Sequence, residues 1–220
     1  MKTLLPALVA LFISMTASTV TAADYRLPFE GRWFVFAGGD TINVNHHMRE
    51  QSQWFAVDFL KTGGPTNRGL TSGKGDKVED FYGWGQNVLS PVDGVVRTVH
   101  DGAVDNPIGT TDKQNAFGNY VAIEAGPAEF VYLAHFQKGS LKVKVGQSVK
   151  AGQTLGKCGN SGNTSGPHIH MHVQDRLPLY SGTGQNITFR GITVLLSGKQ
   201  FDDVNWPLLQ GLFVWHGEDR

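Results

Sequence analysis

The stretch that most constrains the fold is residues 159–173, Gly-Asn-Ser-Gly-Asn-Thr-Ser-Gly-Pro followed by His168-Ile-His170-Met-His172-Val. A glycine-rich turn breaks any helix, and the polar–apolar alternation after Pro167 has the period of a strand. Such a strand puts His168, His170 and His172 on one face. Three of the chain's eight histidines fall here. A buried neutral imidazole has a donor and an acceptor to satisfy, and exposed neighbours repel once protonated. A shared metal ion removes both difficulties, because imidazole is the commonest nitrogen ligand of zinc. A surface strand that merely carries histidines is the plainer alternative.

The N-terminus reads as a secretory signal over residues 1–22. Met-Lys-Thr opens it, an apolar run follows from Leu4 to Met15, and small residues lead to Thr21-Ala22-Ala23. That run is too short to span a bilayer. The expectation is an exported chain, periplasmic or extracellular, with no membrane partner after signal cleavage. The remaining residues, 23–220, suit a single domain, with a core over about 40–175 and closing strands over 176–220. Glycine supplies 28 of 220 residues without a collagen-like period, and Val, Ile, Phe and Thr come in short runs. Both favour many strands joined by tight turns. Formal charge is zero with dispersed Lys and Arg, which argues against a nucleic-acid partner. Cys158 is the only cysteine, so no internal disulfide forms, and its small neighbours favour a packing role over a nucleophilic one.

Along the chain, residues 24–39 read as a lead-in and one strand, 40–48 as a polar loop, and Trp54–Leu60 as an apolar strand interrupted by Asp58. A carboxylate in such a run needs a partner; with His46 and His47 upstream, a shared cation supplies one. Residues 62–77 and 101–117 read as loops. Val88–Val99 reads as strand, turn and strand. Residues 118–124 and 129–135 form a hairpin that ends on His135. Glycine-spaced residues 144–156 suit a ribbon of short strands, and residues 187–196 and the Trp- and Leu-rich tail close the fold. His100 and His216 read as solvated. A catalytic zinc takes three nitrogen or oxygen ligands and leaves a fourth position open. Spacing alone does not choose among His46, His47, Asp58, His135, His168, His170 and His172.

Taken together, these segments resemble the lysostaphin-type (LytM-type) zinc metallopeptidases, which cleave peptide bonds of peptidoglycan. Asn45-His-His47 with Gln53-Trp-Phe-Ala-Val-Asp58 resembles the family's first motif, Tyr132-Leu-Ala-His135 its Tyr-x-x-His strand, and Gly159–His170 its glycine-rich Gly-Pro-His-x-His signature. Ser90–Val96 and Val145–Gly156 resemble its connecting strands. The resemblance implies a mainly β fold, an antiparallel β-sheet metallopeptidase domain of the duplicated-hybrid-motif kind. It implies one Zn2+ held by His47, Asp58 and His170, with His135 and His168 as catalytic neighbours and a peptidoglycan peptide as substrate. His46 competes with His47. Two departures stand out: eleven positions separate His47 from Asp58, and His172 stands where the family commonly has an acidic residue. His172 therefore either orients a ligand or flanks the groove. Competing expectations are a member without turnover that binds wall or activates another hydrolase, a lipoyl-like carrier domain, and a cysteine hydrolase using Cys158.

Overall fold

Alternation decides which face of each strand meets the core. The computed structural model describes residues 25–217 and places twelve strands there. They are β1 (Trp33–Ala37), β2 (Val57–Lys61), β3 (Asn87–Leu89), β4 (Gly94–His100), β5 (Asn119–Gly126) and β6 (Glu129–Phe136), then β7 (Ser148–Val149), β8 (Thr154–Lys157), β9 (Ile169–Gln174), β10 (Phe189–Leu196), β11 (Lys199–Trp206) and β12 (Phe213–His216). Ten make one antiparallel sheet in the order β11-β10-β12-β1-β2-β9-β6-β5-β4-β7, and β3 pairs with β8 as a separate ribbon. The mainly antiparallel β architecture expected from the sequence is what forms. The apolar N-terminal segment lies outside the described residues, among which no helix is long and apolar enough to cross a membrane.

The three central strands sort their residues by parity. Val57 and Phe59 of β2, Val131 and Leu133 of β6, and Ile169, Met171 and Val173 of β9 join one hydrophobic core with Phe29, Trp33 and Phe189. Burying each large apolar side chain contributes roughly 1.5–3 kcal/mol. The residues between them, Asp58, Tyr132, Ala134, His170, His172 and Gln174, take the opposite face. Every residue of β9 is buried, so this second face is covered too. The Asp101–Phe117 loop covers part of it, with the Phe117 ring centroid 5.4 Å from that of His170.

Three expectations need correction. The strand expected from Trp54 starts only at Val57, because Phe55 takes a left-handed turn at φ 65°. His168 precedes β9, so the three histidines do not share one strand. His216 is half-buried, with Nε2 3.4 Å from the Leu27 carbonyl. The polar loop at 40–48 also tightens into a 3-10 turn over His46–Arg49.

Candidate metal centre

Asp58 and His170 are direct partners in the β2–β9 register. Antiparallel pairing brings opposed side chains close on one face, and here His170 Nδ1 lies 3.0 Å from Asp58 Oδ1. The 3-10 turn delivers His47 from the other side, with Nε2 3.4 Å from Asp58 Oδ2. Four ligands about a tetrahedral zinc at about 2.0–2.2 Å stand roughly 3.3 Å apart, and each of these two spacings to Asp58 is of that size. His46 Nε2 is also within 3.9 Å of Asp58 Oδ2, and His46, His47 and Asp58 form a compact donor group. His46 is 58% exposed at its side chain whereas His47 is 9% exposed.

Hydrogen bonds fix which nitrogen of each ring is free. Asn45 is fully buried, and its amide nitrogen donates to the carbonyls of Gly39 (2.8 Å) and Ala56 (3.1 Å). Its oxygen therefore faces His47, accepting from the backbone N–H and lying 2.9 Å from Nδ1. His47 must carry its proton on Nδ1, which leaves the Nε2 lone pair toward Asp58. His168 Nδ1 lies 3.0 Å from the Gly166 carbonyl and 2.9 Å from Thr164 Oγ1, and its Nε2 is 3.6 Å from Asp58 Oδ1. His135 Nδ1 donates to the Ser161 carbonyl at 2.8 Å, again freeing Nε2. The His135 and His168 ring centroids are 4.6 Å apart.

His135 reaches this place through a fault in the sheet. Ala134 pairs with Tyr120 and Phe136 with Asn119, so His135 is the extra residue of a β-bulge. Its φ is 67°. Strict alternation after Ala134 would send the ring to the opposite face; the left-handed bulge turns it toward the groove. Asn119 and Ser161 hold the bulge: Asn119 N–H donates to Ser161 Oγ, and Asn119 Nδ2 and Ser161 Oγ both donate to the Phe136 carbonyl. Gly118, at φ +55°, lets the chain pass so close that a Cβ there would meet Ser161 at 2.3 Å.

Burial opposes an ionised Asp58, yet electrostatic attraction from the His47 and His168 rings packed around it, with a hydrogen bond from His168, holds its carboxyl well below the usual range. Burial pushes His47 down to about 3 and His135 well below the ordinary histidine value. Burial acts the same way on His168, but the Asp58 charge and hydrogen bonds to Asp58 and Gly166 carry it upward. The centre thus pairs one carboxylate with rings that are mostly neutral, and neutral imidazole is the form that binds metal.

A groove of about 550 Å³ opens over the centre, walled by Phe36, Leu60, Leu70, Phe81 and Phe117 with Arg49 and Glu50 at hand. His46, His47, Asp58, His135, His168 and His170 all line it. All candidate residues except His172 therefore meet in one place. His172 is buried behind His170, and Cys158 is a core residue whose thiol burial pushes up. Sequence reasoning missed the orienting roles of Asn45, Ser161, Thr164 and Gln174. For Gln174 a signal existed: it continues the alternation of His170 and His172. Ser161 and Thr164 look like ordinary turn residues.

The fold and this centre give a β-sheet protein with side chains that could hold a metal ion, and comparison with known proteins says what part of it resembles. The Peptidase family M23 model matches residues 80–186. Over that stretch the chain is similar to peptidase family M23. The match includes His135, His168 and His170 and stops short of His46, His47 and Asp58. Peptidoglycan DD-endopeptidase ShyA of Vibrio cholerae is 37% identical over 89 residues, 40% of this chain and 19% of the relative. Peptidoglycan DD-endopeptidase ShyC of the same organism is 34% identical over 87 residues, 39% of this chain and 18% of the relative. The matched stretch is thus about a fifth of each relative's length. The catalytic domain of the prophage-encoded M23 protein EnpA from Enterococcus faecalis aligns with TM-score 0.46 and 16% identity over 74% of this chain and 94% of that one.

Proposed function

We propose that this chain is an exported zinc metalloendopeptidase that hydrolyses peptide bonds in peptidoglycan. The observation that carries the reading is the convergence of His47 Nε2, both Asp58 oxygens and His170 Nδ1 beneath a groove that also holds His135 and His168. Zinc held by His47, Asp58 and His170 supplies a Lewis acid that activates water and polarises a carbonyl. The chain's own residues do the rest. His135, anchored through Nδ1 on Ser161, offers a free Nε2 as the base that takes the water's proton. His168, anchored on Gly166 and beside Asp58, bears a proton to place against the developing oxyanion and to pass to the leaving amine. The apolar walls hold an extended peptide and displace water.

The relatives named as peptidoglycan DD-endopeptidases support peptidoglycan as the substrate class. The test is digestion of defined cross-linked muropeptides by the zinc-loaded protein, with products read by mass spectrometry. Hydrolysis of one peptide bond, abolished by chelator and restored by zinc, is the expected result. Intact muropeptides and sacculi under zinc loading would favour the non-hydrolysing alternative.

A further inference from the structure

Behind the groove, His172 is fully buried and makes no contact with the space a substrate would occupy. Its ring lies parallel to that of Tyr132, its β6 partner, with centroids 4.9 Å apart and an interplanar angle of 3°. One ring nitrogen, Nδ1, is 3.1 Å from His170 Nε2; the other, Nε2, is 3.3 Å from Gln174 Oε1. The three side chains form a line along one face of β9, at alternate positions.

Every proton in that line is dictated from its far end. The Gln174 amide nitrogen donates to the carbonyls of Arg176 and Pro178. Those acceptors cannot be reversed, so Oε1 must be the atom facing His172. An oxygen there demands Nε2–H on His172. A neutral His172 then has a lone pair at Nδ1, which demands Nε2–H on His170. The remaining nitrogen of His170, Nδ1, faces Asp58 at 3.0 Å. A lone pair opposite a carboxylate needs a cation between them.

We propose that Gln174 and His172 are positioning residues that set the tautomer of His170 and so present its Nδ1 to zinc. The inference rests on the zinc reading above. It gives His172 a task that a carboxylate would do by accepting the same proton, but here the acceptor is neutral and adds no negative charge to the centre. Buried partners of ligating histidines typically change metal affinity 10–100-fold when removed.

The test compares zinc affinity, by competition with a chromophoric chelator, in the native chain and in His172→Phe and His172→Gln. Phenylalanine keeps a ring against Tyr132 and removes both hydrogen bonds; glutamine can accept from His170 and donate to Gln174. The expected result is a 10–100-fold loss in His172→Phe, largely regained in His172→Gln. In parallel, ¹⁵N spectra of the zinc-loaded native protein should show His172 protonated on Nε2 alone and His170 protonated on Nε2. Equal affinity in all three proteins, or a His172 proton on Nδ1, overturns the relay. If His172→Phe fails to fold, the native tautomers decide the matter. A native chain that takes up no zinc at all would instead sink the zinc reading.

Discussion

Asp58 and His170 sit opposite each other on neighbouring strands, 112 positions apart in sequence, with carboxylate and imidazole 3.0 Å apart. The contact is fixed by sheet register, because slipping β2 against β9 by one residue would exchange Asp58 for an apolar neighbour. Backbone pairing therefore fixes two of the three proposed ligands before any metal arrives.

Replacing His170 by Ala should remove both bound zinc and turnover, since it deletes a donor whose partner Asp58 stays buried. Metal analysis of the purified variant checks this. Full metal content with normal hydrolysis would show that His170 is not a ligand.

His46 and His47 compete for the same carboxylate, and burial separates them. His47→Ala should lose zinc; His46→Ala should keep it, because its exposed side chain makes no orienting hydrogen bond comparable to the one His47 Nδ1 donates to Asn45 Oδ1. Zinc titration of both variants decides, and the reverse order would make His46 the ligand.

His135→Ala should retain zinc and lose most hydrolysis. His135→Gly should do the same yet be more stable than His135→Ala by about 1 kcal/mol, because φ 67° strains any residue with a Cβ. Denaturant unfolding of the two variants measures the difference. A glycine variant less stable than the alanine one would mean the bulge relaxes when the ring is absent.

Asn45→Ala should weaken zinc binding by about 10–100-fold, as loss of an orienting partner typically does. It also strands the Gly39 and Ala56 carbonyls, costing about 1–3 kcal/mol. Chelator competition and thermal unfolding read the two effects separately.

The metal-free protein should lose stability as pH falls below about 6.5. His47, His135 and His172 are held by burial below the ordinary histidine value, so the unfolded chain binds protons that the native centre refuses. Each contributes a slope of up to about 1.4 kcal/mol per pH unit. His168 is raised and acts oppositely: its stabilisation is present at low pH and fades as pH rises through its native value. Asp58 is depressed, so its contribution persists until pH falls below about 4. Three groups against one give a melting temperature that declines from about pH 6.5 toward 4.5 in chelator. A flat profile would contradict neutral buried rings.

Alternation, glycine placement and turn chemistry made the hairpin of β5 and β6, the short strands β7 and β8, and the approach to β9 legible from residues alone, but the ribbon expected over 144–156 divides: β7 pairs with β4 and β8 with β3. The same local signals carried His47, Asp58, His135, His168 and His170 as candidates. They could not reveal the bulge at His135, because an extra residue in a strand shows only against the register of its partner. Nor could they show that Gln174 sets the protons of two histidines, since that depends on carbonyls beyond the strand. Trp54 and Phe55 read as strand because they are bulky and apolar; a left-handed turn at Phe55 outweighed that preference.

The proposed site residues come from two separated stretches, His47 and Asp58 before the 62–77 loop and His135, His168 and His170 well after it. Neither stretch owns a complete centre. A polypeptide cut within that loop would yield two pieces, one with two of the proposed ligands and the other with the third, that regain one metal-binding unit only by reannealing β2 to β9. Metal uptake would then report reassembly of the sheet.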